Sequence, residues 1–96
     1  MPALLLLALS AGVAGATSPD GLFDQGNGAY EAGRYEEAAE AYTRVLAYGV
    51  RDPRAHYNLA NAYFKLGRIG PAILHYERAL RLAPGDEDIR DNLEFA

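Results

Sequence analysis

The stretch PRAHYNLANAYFKLGRIGPAILHYERALRLAPGD, residues 53–86, decides the fold, because it repeats the stretch that precedes it. Residues 19–52 read PDGLFDQGNGAYEAGRYEEAAEAYTRVLAYGVRD, and nine of these 34 positions are identical to those 34 residues later. A globular composition would give roughly two or three identities by chance, so the shift marks an internal repeat. The identical pairs are Pro19 and Pro53, Asn27 and Asn61, Gly33 and Gly67, Arg34 and Arg68, Ala38 and Ala72, Tyr42 and Tyr76, Arg44 and Arg78, Leu46 and Leu80, and Asp52 and Asp86.

Each repeat predicts two helices separated by a glycine. In the first repeat Gly33 divides helix A, over about 20–32, from helix B, over about 35–48, and Gly67 has the same place in the second repeat. Glycine ends a helix readily, because it adopts the left-handed backbone conformation at the helix C-terminus. Apolar residues recur at helical spacing on both sides of these glycines, and a fifth helix is predicted over about 86–95.

The smallest side chains fall where the two helices of a repeat should cross, which permits close approach of their backbones. Tyr42 and Tyr76 are predicted to fill the gaps between successive helices. The arginines that follow the two interhelical glycines, Arg34 and Arg68, are predicted to be solvated at the turns. The predicted crossing pairs are Gly26 with Ala38 and Ala60 with Ala72.

A helix–turn–helix period of 34 residues resembles the tetratricopeptide repeat (TPR), and the resemblance covers about 70 of the 96 residues. It implies an all-α fold, an α-solenoid of two TPR repeats with a C-terminal capping helix. The first repeat departs more from the family pattern, with Leu22 in place of the usual aromatic residue and Ala29 in the position of Tyr63. The motif residues are Gly26, Gly33, Ala38, Tyr42 and Leu46 in the first repeat and Leu59, Ala60, Tyr63, Gly67, Ala72, Tyr76, Ala79 and Pro84 in the second.

Three stretches resemble a narrower family. HYNLANAY at 56–63, AILHYERAL at 72–80 and DEDI at 86–89 are similar to the TPR proteins of the Bat aerotolerance operon. Those are bacterial envelope proteins with a signal peptide, a short tetratricopeptide segment and a later membrane helix. The resemblance implies that a membrane anchor would lie in sequence beyond Ala96, so that this chain would be a fragment or a truncated reading frame.

The first sixteen residues, MPALLLLALSAGVAGA, carry no charged side chain. About 14 of them are apolar, fewer than the roughly 20 that a membrane span needs, and Ala14-Gly15-Ala16 fits the small-residue rule for signal cleavage. This pattern predicts a signal peptide and an exported protein, periplasmic or associated with the cell envelope. No Lys or Arg precedes the apolar run, and the alternative is an uncleaved anchor or the end of a longer apolar segment. The predicted divisions are a signal peptide at 1–16, one repeat at 19–52, a second at 53–86, and a capping helix or the start of a third repeat at 87–96.

Composition excludes several classes of function. Nine Lys and Arg against thirteen Asp and Glu leave a net charge of −4, which does not favour nucleic acid as a partner. The absence of cysteine removes disulfides, thiolate metal sites and thiol nucleophiles. His56 and His75 lie on different predicted helices and are assigned packing roles. We therefore expect no catalytic residue, no metal site and no cofactor, and interpret the acidic run 86–88 as a helix cap with an acidic first turn.

By resemblance, residues of helix A line the concave face of the array. Aromatic side chains there supply area for burial, and asparagines can pair with the donors and acceptors of a peptide backbone. The alternative is that some of the aromatic residues only pack against a neighbouring helix. The predicted protein-binding groove residues are Phe23, Asn27, Tyr30, Arg54, Tyr57, Asn58, Asn61, Phe64 and Lys65.

Some family members hold a C-terminal carboxylate between basic residues and asparagines of successive helices A. Asn27 and Asn58 match two of those positions, but Phe23, Asp88 and Asn92 fall where the basic residues would be. The carboxylate clamp is therefore predicted to be absent.

These observations predict a non-enzymatic adaptor or scaffold in the bacterial cell envelope, which binds a protein or peptide partner in the helix A groove. In the alternative, the role is structural, and the repeats associate with a second copy into a homo-oligomer or belong to a longer membrane-anchored protein. No nucleic-acid partner is expected.

Overall fold

A computed structural model of the chain describes residues 17–96, and all the helices in this range are α-helices. The all-helical class is confirmed for this range, and the helix bounds predicted for the first repeat agree to within one residue. The predicted signal segment, residues 1–16, lies outside the described residues. Numbered along the described chain, the helices are α1 (Pro19–Glu31), α2 (Tyr35–Ala47), α3 (Pro53–Lys65), α4 (Ile69–Leu82) and α5 (Glu87–Phe95). In this part of the chain, no helix has the length and apolar character needed to cross a membrane.

Side-chain caps determine where three of the helices begin. At the start of α5, Asp86 Oδ1 accepts the backbone N–H of Ile89 at 3.1 Å. At the start of α3, Asp52 Oδ1 accepts the backbone N–H of Arg54 at 2.9 Å, and Ser18 has the same role in α1. These oxygens satisfy N–H groups that have no partner within the first turn of a helix. The cap predicted for the acidic run is therefore confirmed.

The two interhelical glycines adopt the left-handed backbone conformation. The φ angles of Gly33 and Gly67 are +78° and +76°. After Gly33, the N–H of Arg34 bonds back to the carbonyl of Ala29 at 2.8 Å, which closes the end of α1. A side chain would be strained at this φ, so the predicted turns depend on glycine.

The helices pack in chain order, each against the next. The small residues predicted at the crossings are buried, and Ala38, Ala60 and Ala72 have no exposed surface. Gly26 is also buried, and a Cβ atom at that position would lie only 2.5 Å from Cε1 of Tyr42. The tyrosine ring therefore occupies the space that glycine leaves, as the sequence predicts.

The arginines that follow the turns form ion pairs, in addition to contacting solvent. Arg68 donates to the carboxylate of Glu36 on α2, with a shortest distance of 2.9 Å, and so links the second repeat to the first. Arg34 pairs with Glu37 at 3.1 Å within its own repeat. The prediction of solvated arginines missed the first contact, because a helical pattern gives no sign of a partner 32 residues away. Both pairs are exposed, so each contributes at most about 1 kcal/mol.

Helix α5 covers the end of the second repeat. Ile89 is buried, and Leu93 packs against the cluster of Ala60, Ala72 and Tyr76. Phe95 instead leaves 79% of its surface exposed.

The crossing position of α5 carries a charged residue. In the 34-residue alignment, Glu94 corresponds to Gly26 and Ala60, which are buried in α1 and α3. Glu94 itself is exposed. A charged side chain therefore stands in α5 where the two repeats have a small buried residue.

Candidate functional site

Helices α1, α3 and α5 line three adjoining depressions, which together are called the groove below. The central depression, about 300 Å³ in volume, contains Asn27, Tyr30, Asn58 and Asn61. A second, of about 240 Å³, adjoins it through Tyr30 and Asn61, and a third, of about 360 Å³, adjoins it through Asn58. Each of the nine predicted groove residues lines at least one depression, so the structure brings them onto one surface. Those outside the central depression are Phe64 and Lys65 in the second and Phe23, Arg54 and Tyr57 in the third.

A hydrogen-bonded row of asparagines forms the floor of the groove. In the first repeat, Asn27 Oδ1 accepts from the hydroxyl of Tyr42 at 2.6 Å and from Nδ2 of Asn58 at 3.2 Å. Both hydrogen bonds recur 34 residues later along the chain. We call the four residues Asn27, Asn58, Asn61 and Asn92 the asparagine ladder.

In the second repeat the same atoms make the same contacts. Asn61 Oδ1 accepts from the hydroxyl of Tyr76 at 2.5 Å and from Nδ2 of Asn92 at 3.3 Å. The two tyrosine contacts have the lengths typical of O–H···O bonds and are shorter than ordinary N–H···O bonds. In both repeats the amide oxygen faces the tyrosine and accepts its hydroxyl hydrogen.

The ladder determines which groups the asparagines offer to a ligand. Two bonds occupy the Oδ1 lone pairs of Asn27 and of Asn61, so these two residues present N–H donors. Nδ2 of Asn92 donates to Asn61 and, at 2.9 Å, to the hydroxyl of Tyr57, which leaves its Oδ1 as an acceptor. Within the described chain no hydrogen bond engages Oδ1 of Asn58 either. The groove floor thus combines two oriented donors with two acceptors.

Burial keeps the two ladder tyrosines neutral. Desolvation raises the pKa of Tyr42 to about 12, although a hydrogen bond from Asn58 acts in the opposite direction. Desolvation likewise raises the pKa of Tyr76 to about 12. A neutral phenol donates its O–H, so both tyrosines hold the amides in the same orientation up to strongly alkaline pH.

All four of the predicted groove aromatics also pack within the fold, and Phe23 and Tyr57 do so against the buried tyrosines. The ring of Phe23 lies 5.8 Å from that of Tyr42, tilted by 57°. The ring of Tyr57 lies 6.0 Å from that of Tyr76, with the same tilt. Such pairs hold their rings in place, so these two residues contribute walls of the groove and also belong to the core contacts of their repeats.

The basic residues of the groove differ in their availability. Arg54 forms a 2.7 Å ion pair with Asp52, and its guanidinium lies 5.3 Å from the ring centroid of Phe23. The hydrogen bond from Arg54 lowers the pKa of Asp52, so the carboxylate stays ionised beside the guanidinium. Lys65 is exposed and lies 6.0 Å from the ring centroid of Tyr35. Of the two predicted basic residues, Lys65 is therefore the one without an ion-pair partner in the described chain.

The two histidines meet, although they lie 19 residues apart on different helices. Nδ1 of His56 on α3 lies 3.1 Å from Nδ1 of His75 on α4. The antiparallel pairing that places Ala60 and Ala72 in one cluster extends by one helical turn to this pair. The sequence carried a signal for this contact, because both histidines lie one helical turn farther from Gly67 than the two alanines that cross.

The geometry defines a helical-repeat module with a polar and aromatic groove along α1, α3 and α5. The chain belongs to the tetratricopeptide repeat family, whose model matches residues 23–87. TPR repeats are in general non-catalytic interaction modules, and the comparisons indicate no enzymatic family.

Two relatives share the repeats. The chain is 42% identical over 62 residues to sperm-associated antigen 1 from Rattus norvegicus, a match that covers 65% of this chain and 7% of that protein. It is 31% identical over 61 residues to Hsp70-Hsp90 organizing protein 2 from Arabidopsis thaliana, a match that covers 64% of this chain and 11% of that protein. The similarity thus concerns the repeat segment, a small part of each relative. Neither match tests the narrower resemblance to the Bat operon proteins.

Proposed function

We propose that this chain is an adaptor that binds a segment of a partner protein along the groove. The asparagine ladder carries the proposal, because it presents oriented amide donors and acceptors beside half-buried aromatic rings. The main chain of an extended or helix-terminal segment offers the complementary carbonyls and N–H groups. The aromatic walls supply apolar contact area.

The partner segment is proposed to be internal, not a free C-terminus. Asp88 lines the groove beside Phe23, and its negative charge repels a carboxylate. Arg54, which lines the same depression, is already paired with Asp52. The name of the Arabidopsis relative refers to two chaperones. For this chain we propose a protein partner of some kind, without recognition of a terminal carboxylate.

The proposed location is the bacterial cell envelope. The uncharged segment at 1–16 has the pattern of a signal peptide, and the resemblance to the Bat aerotolerance proteins agrees with export. That resemblance further suggests a membrane anchor in sequence outside this chain. Fusion of residues 1–30 to a reporter that is active only after export tests the location, and a reporter that stays inactive would contradict it.

The test of the groove removes the donors and leaves the ladder intact. In Asn27→Asp/Asn61→Asp, the carboxylate oxygens can still accept from the tyrosine hydroxyls, whereas the N–H donors are lost. Replacement of Asn61 by alanine is less suitable, because Asn61 accepts the hydrogen bond of Tyr76. The ring of Tyr57 packs against Tyr76 and would be disturbed as well. Gln25→Glu is the matched control, since Gln25 is exposed on α1 and lines none of the three depressions.

Crosslinked co-purification from envelopes would compare the three proteins. We expect partners recovered with the wild type and with Gln25→Glu to be lost with the double variant. Equal recovery with all three proteins would show that the groove is not the binding surface.

A second proposal is self-association, and exposed apolar side chains favour it. Phe95, Leu74 and Ile69 expose 79%, 41% and 38% of their surfaces. Burial of such residues against a second copy would stabilise an oligomer. Sedimentation velocity of the wild type and Phe95→Ser/Leu74→Ser tests it: concentration-dependent association should weaken in the variant, and a wild type that is monomeric at high concentration would contradict the proposal.

A further inference from the structure

The contact between His56 and His75 has the geometry of one N–H···N hydrogen bond. The two Nδ1 atoms are 3.1 Å apart, the ring centroids are 5.3 Å apart and the ring planes differ by 21°. The distance between the ring centroids exceeds the distance between the two Nδ1 atoms by about two ring radii. The two Nδ1 atoms therefore point towards one another. One ring must therefore donate its Nδ1–H, and the other must accept through an unprotonated Nδ1.

The surroundings of the pair oppose positive charge. His56 and His75 line a cleft between α2, α3 and α4. From α4 the cleft is lined by Arg78, from the connection before α3 by Arg51, and from α3 by Tyr63. Helix α2 contributes uncharged groups, among them the hydroxyl of Thr43, and no carboxylate lines the cleft among the residues that the structure describes.

These neighbours act on the titration of both rings. Burial and the charge of Arg78 lower the pKa of His56. Burial, His56 and Arg78 lower the pKa of His75 to about 4. One hydrogen bond requires one protonated and one unprotonated Nδ1, so the pair is a site that responds to added protons.

We propose that His56 and His75 form a proton-sensitive latch between α3 and α4. The latch stays closed while the pair holds no added proton or one, and a second added proton opens it. The first added proton binds Nε2 of the donor ring, and the Nδ1–H···Nδ1 bond persists as a charge-assisted bond. A second proton must bind Nδ1 of the acceptor ring. Two N–H donors, both charged, then face each other across 3.1 Å, and the rings separate.

Acid therefore destabilises the α3–α4 pair in a defined direction. In the unfolded chain each histidine titrates near its ordinary pKa of about 6.5, so both bind protons below that pH. The closed latch does not bind the second proton, so below that pH the unfolded state binds more protons than the folded state. For each proton that only the unfolded state binds, the unfolding equilibrium constant rises about tenfold per pH unit below about 6.5. The rise ends when the folded pair binds its second proton.

Denaturation by urea at about pH 7.5 and about pH 5 tests the latch. The matched variant is His56→Asn/His75→Asn, whose side-chain amides can bond to one another and do not titrate. We expect the unfolding constant of the wild type to rise between the two pH values at least about tenfold more than that of the variant. Carboxylates remain largely ionised in this range. An equal rise in both proteins would overturn the proposal.

Nuclear magnetic resonance provides a measurement on the wild type alone, should the variant not fold. The chain contains two histidines, so their ring resonances are readily assigned. We expect two coupled steps, the second well below the ordinary range. Two independent titrations near 6.5 in the folded protein would overturn the latch.

Discussion

The hydroxyl of Tyr76 donates a 2.5 Å hydrogen bond to Oδ1 of Asn61, and so joins the second helix of a repeat to the groove floor. The same bond joins the residues 34 positions earlier at 2.6 Å. A contact that packs the core therefore also orients the amide that a ligand would meet. Stability and recognition depend on the same tyrosines.

Removal of the Tyr76 hydroxyl should destabilise the second repeat. In Tyr76→Phe, the half-buried Asn61 loses its shortest hydrogen bond, which we expect to lower the free energy of unfolding by about 1–2 kcal/mol. Urea denaturation measures the change. Tyr35→Phe is the control, because no hydrogen bond engages its hydroxyl in the described chain, and it should change stability by less than about 0.5 kcal/mol. Equal stability of the two variants would argue against the ladder.

Two glycines of α1 should respond in opposite directions to alanine. A Cβ at Gly26 would lie 2.5 Å from Cε1 of Tyr42, so Gly26→Ala should destabilise the protein by about 1–3 kcal/mol through overpacking. A Cβ at Gly28 meets no atom within 4 Å, so Gly28→Ala should stabilise the helix by about 0.5–1 kcal/mol. Thermal unfolding of both variants measures the contrast. Destabilisation of similar size in both would contradict the predicted packing.

Alkaline titration should reveal that Tyr42 and Tyr76 ionise late. The pKa values of Tyr42 and Tyr76 are raised to about 12, whereas an unfolded tyrosine ionises near 10. Their stabilising contribution is complete below pH 10 and is lost as pH rises from about 10 to 12. Ultraviolet absorbance of tyrosinate should show late ionisation that coincides with unfolding, whereas in urea all seven should titrate together. A single step near 10 in the folded protein would contradict burial of the two phenols.

The capping oxygen of Asp52 at the start of α3 should contribute more to stability than the ion pair of Asp52 with Arg54. Asp52→Ala removes the oxygen that accepts the Arg54 N–H at 2.9 Å, and we expect a loss of about 1 kcal/mol. Asp52→Asn keeps an oxygen at the cap and loses the exposed ion pair, so its cost should be smaller. Circular dichroism in urea compares the two. A greater loss in the asparagine variant would show that the ion pair dominates.

The carboxyl of Asp52 adds a pH dependence to this comparison. Its pKa is lowered, chiefly by the hydrogen bond from Arg54, so its contribution is present above the unfolded pKa and is lost as pH falls through the folded pKa. The asparagine variant should lack this acid-dependent part.

Much of the fold could be predicted because the decisive signals are local. The 34-residue repeat, the glycines at the turns and the small residue at Gly26 are properties of the chain order and of backbone sterics. The nine groove residues were predicted from the resemblance to tetratricopeptide repeats, which implies that helix A lines the concave face. Their partners could not be predicted in the same way, since the ladder contact between Asn27 and Asn58 spans 31 residues.

The amino-acid sequence by itself determined the repeat, the helix order and the turns, because periodicity and turn chemistry act within a few residues of the chain. Tertiary structure alone decided how the polar groups are shared. Tertiary contacts engage the Oδ1 atoms of Asn27 and Asn61 in hydrogen bonds and bring His56 to His75. They also pair Arg54 with Asp52. The reason is physical: hydrogen bonds and ion pairs require atoms about 3 Å apart, and only the packed helices set those distances.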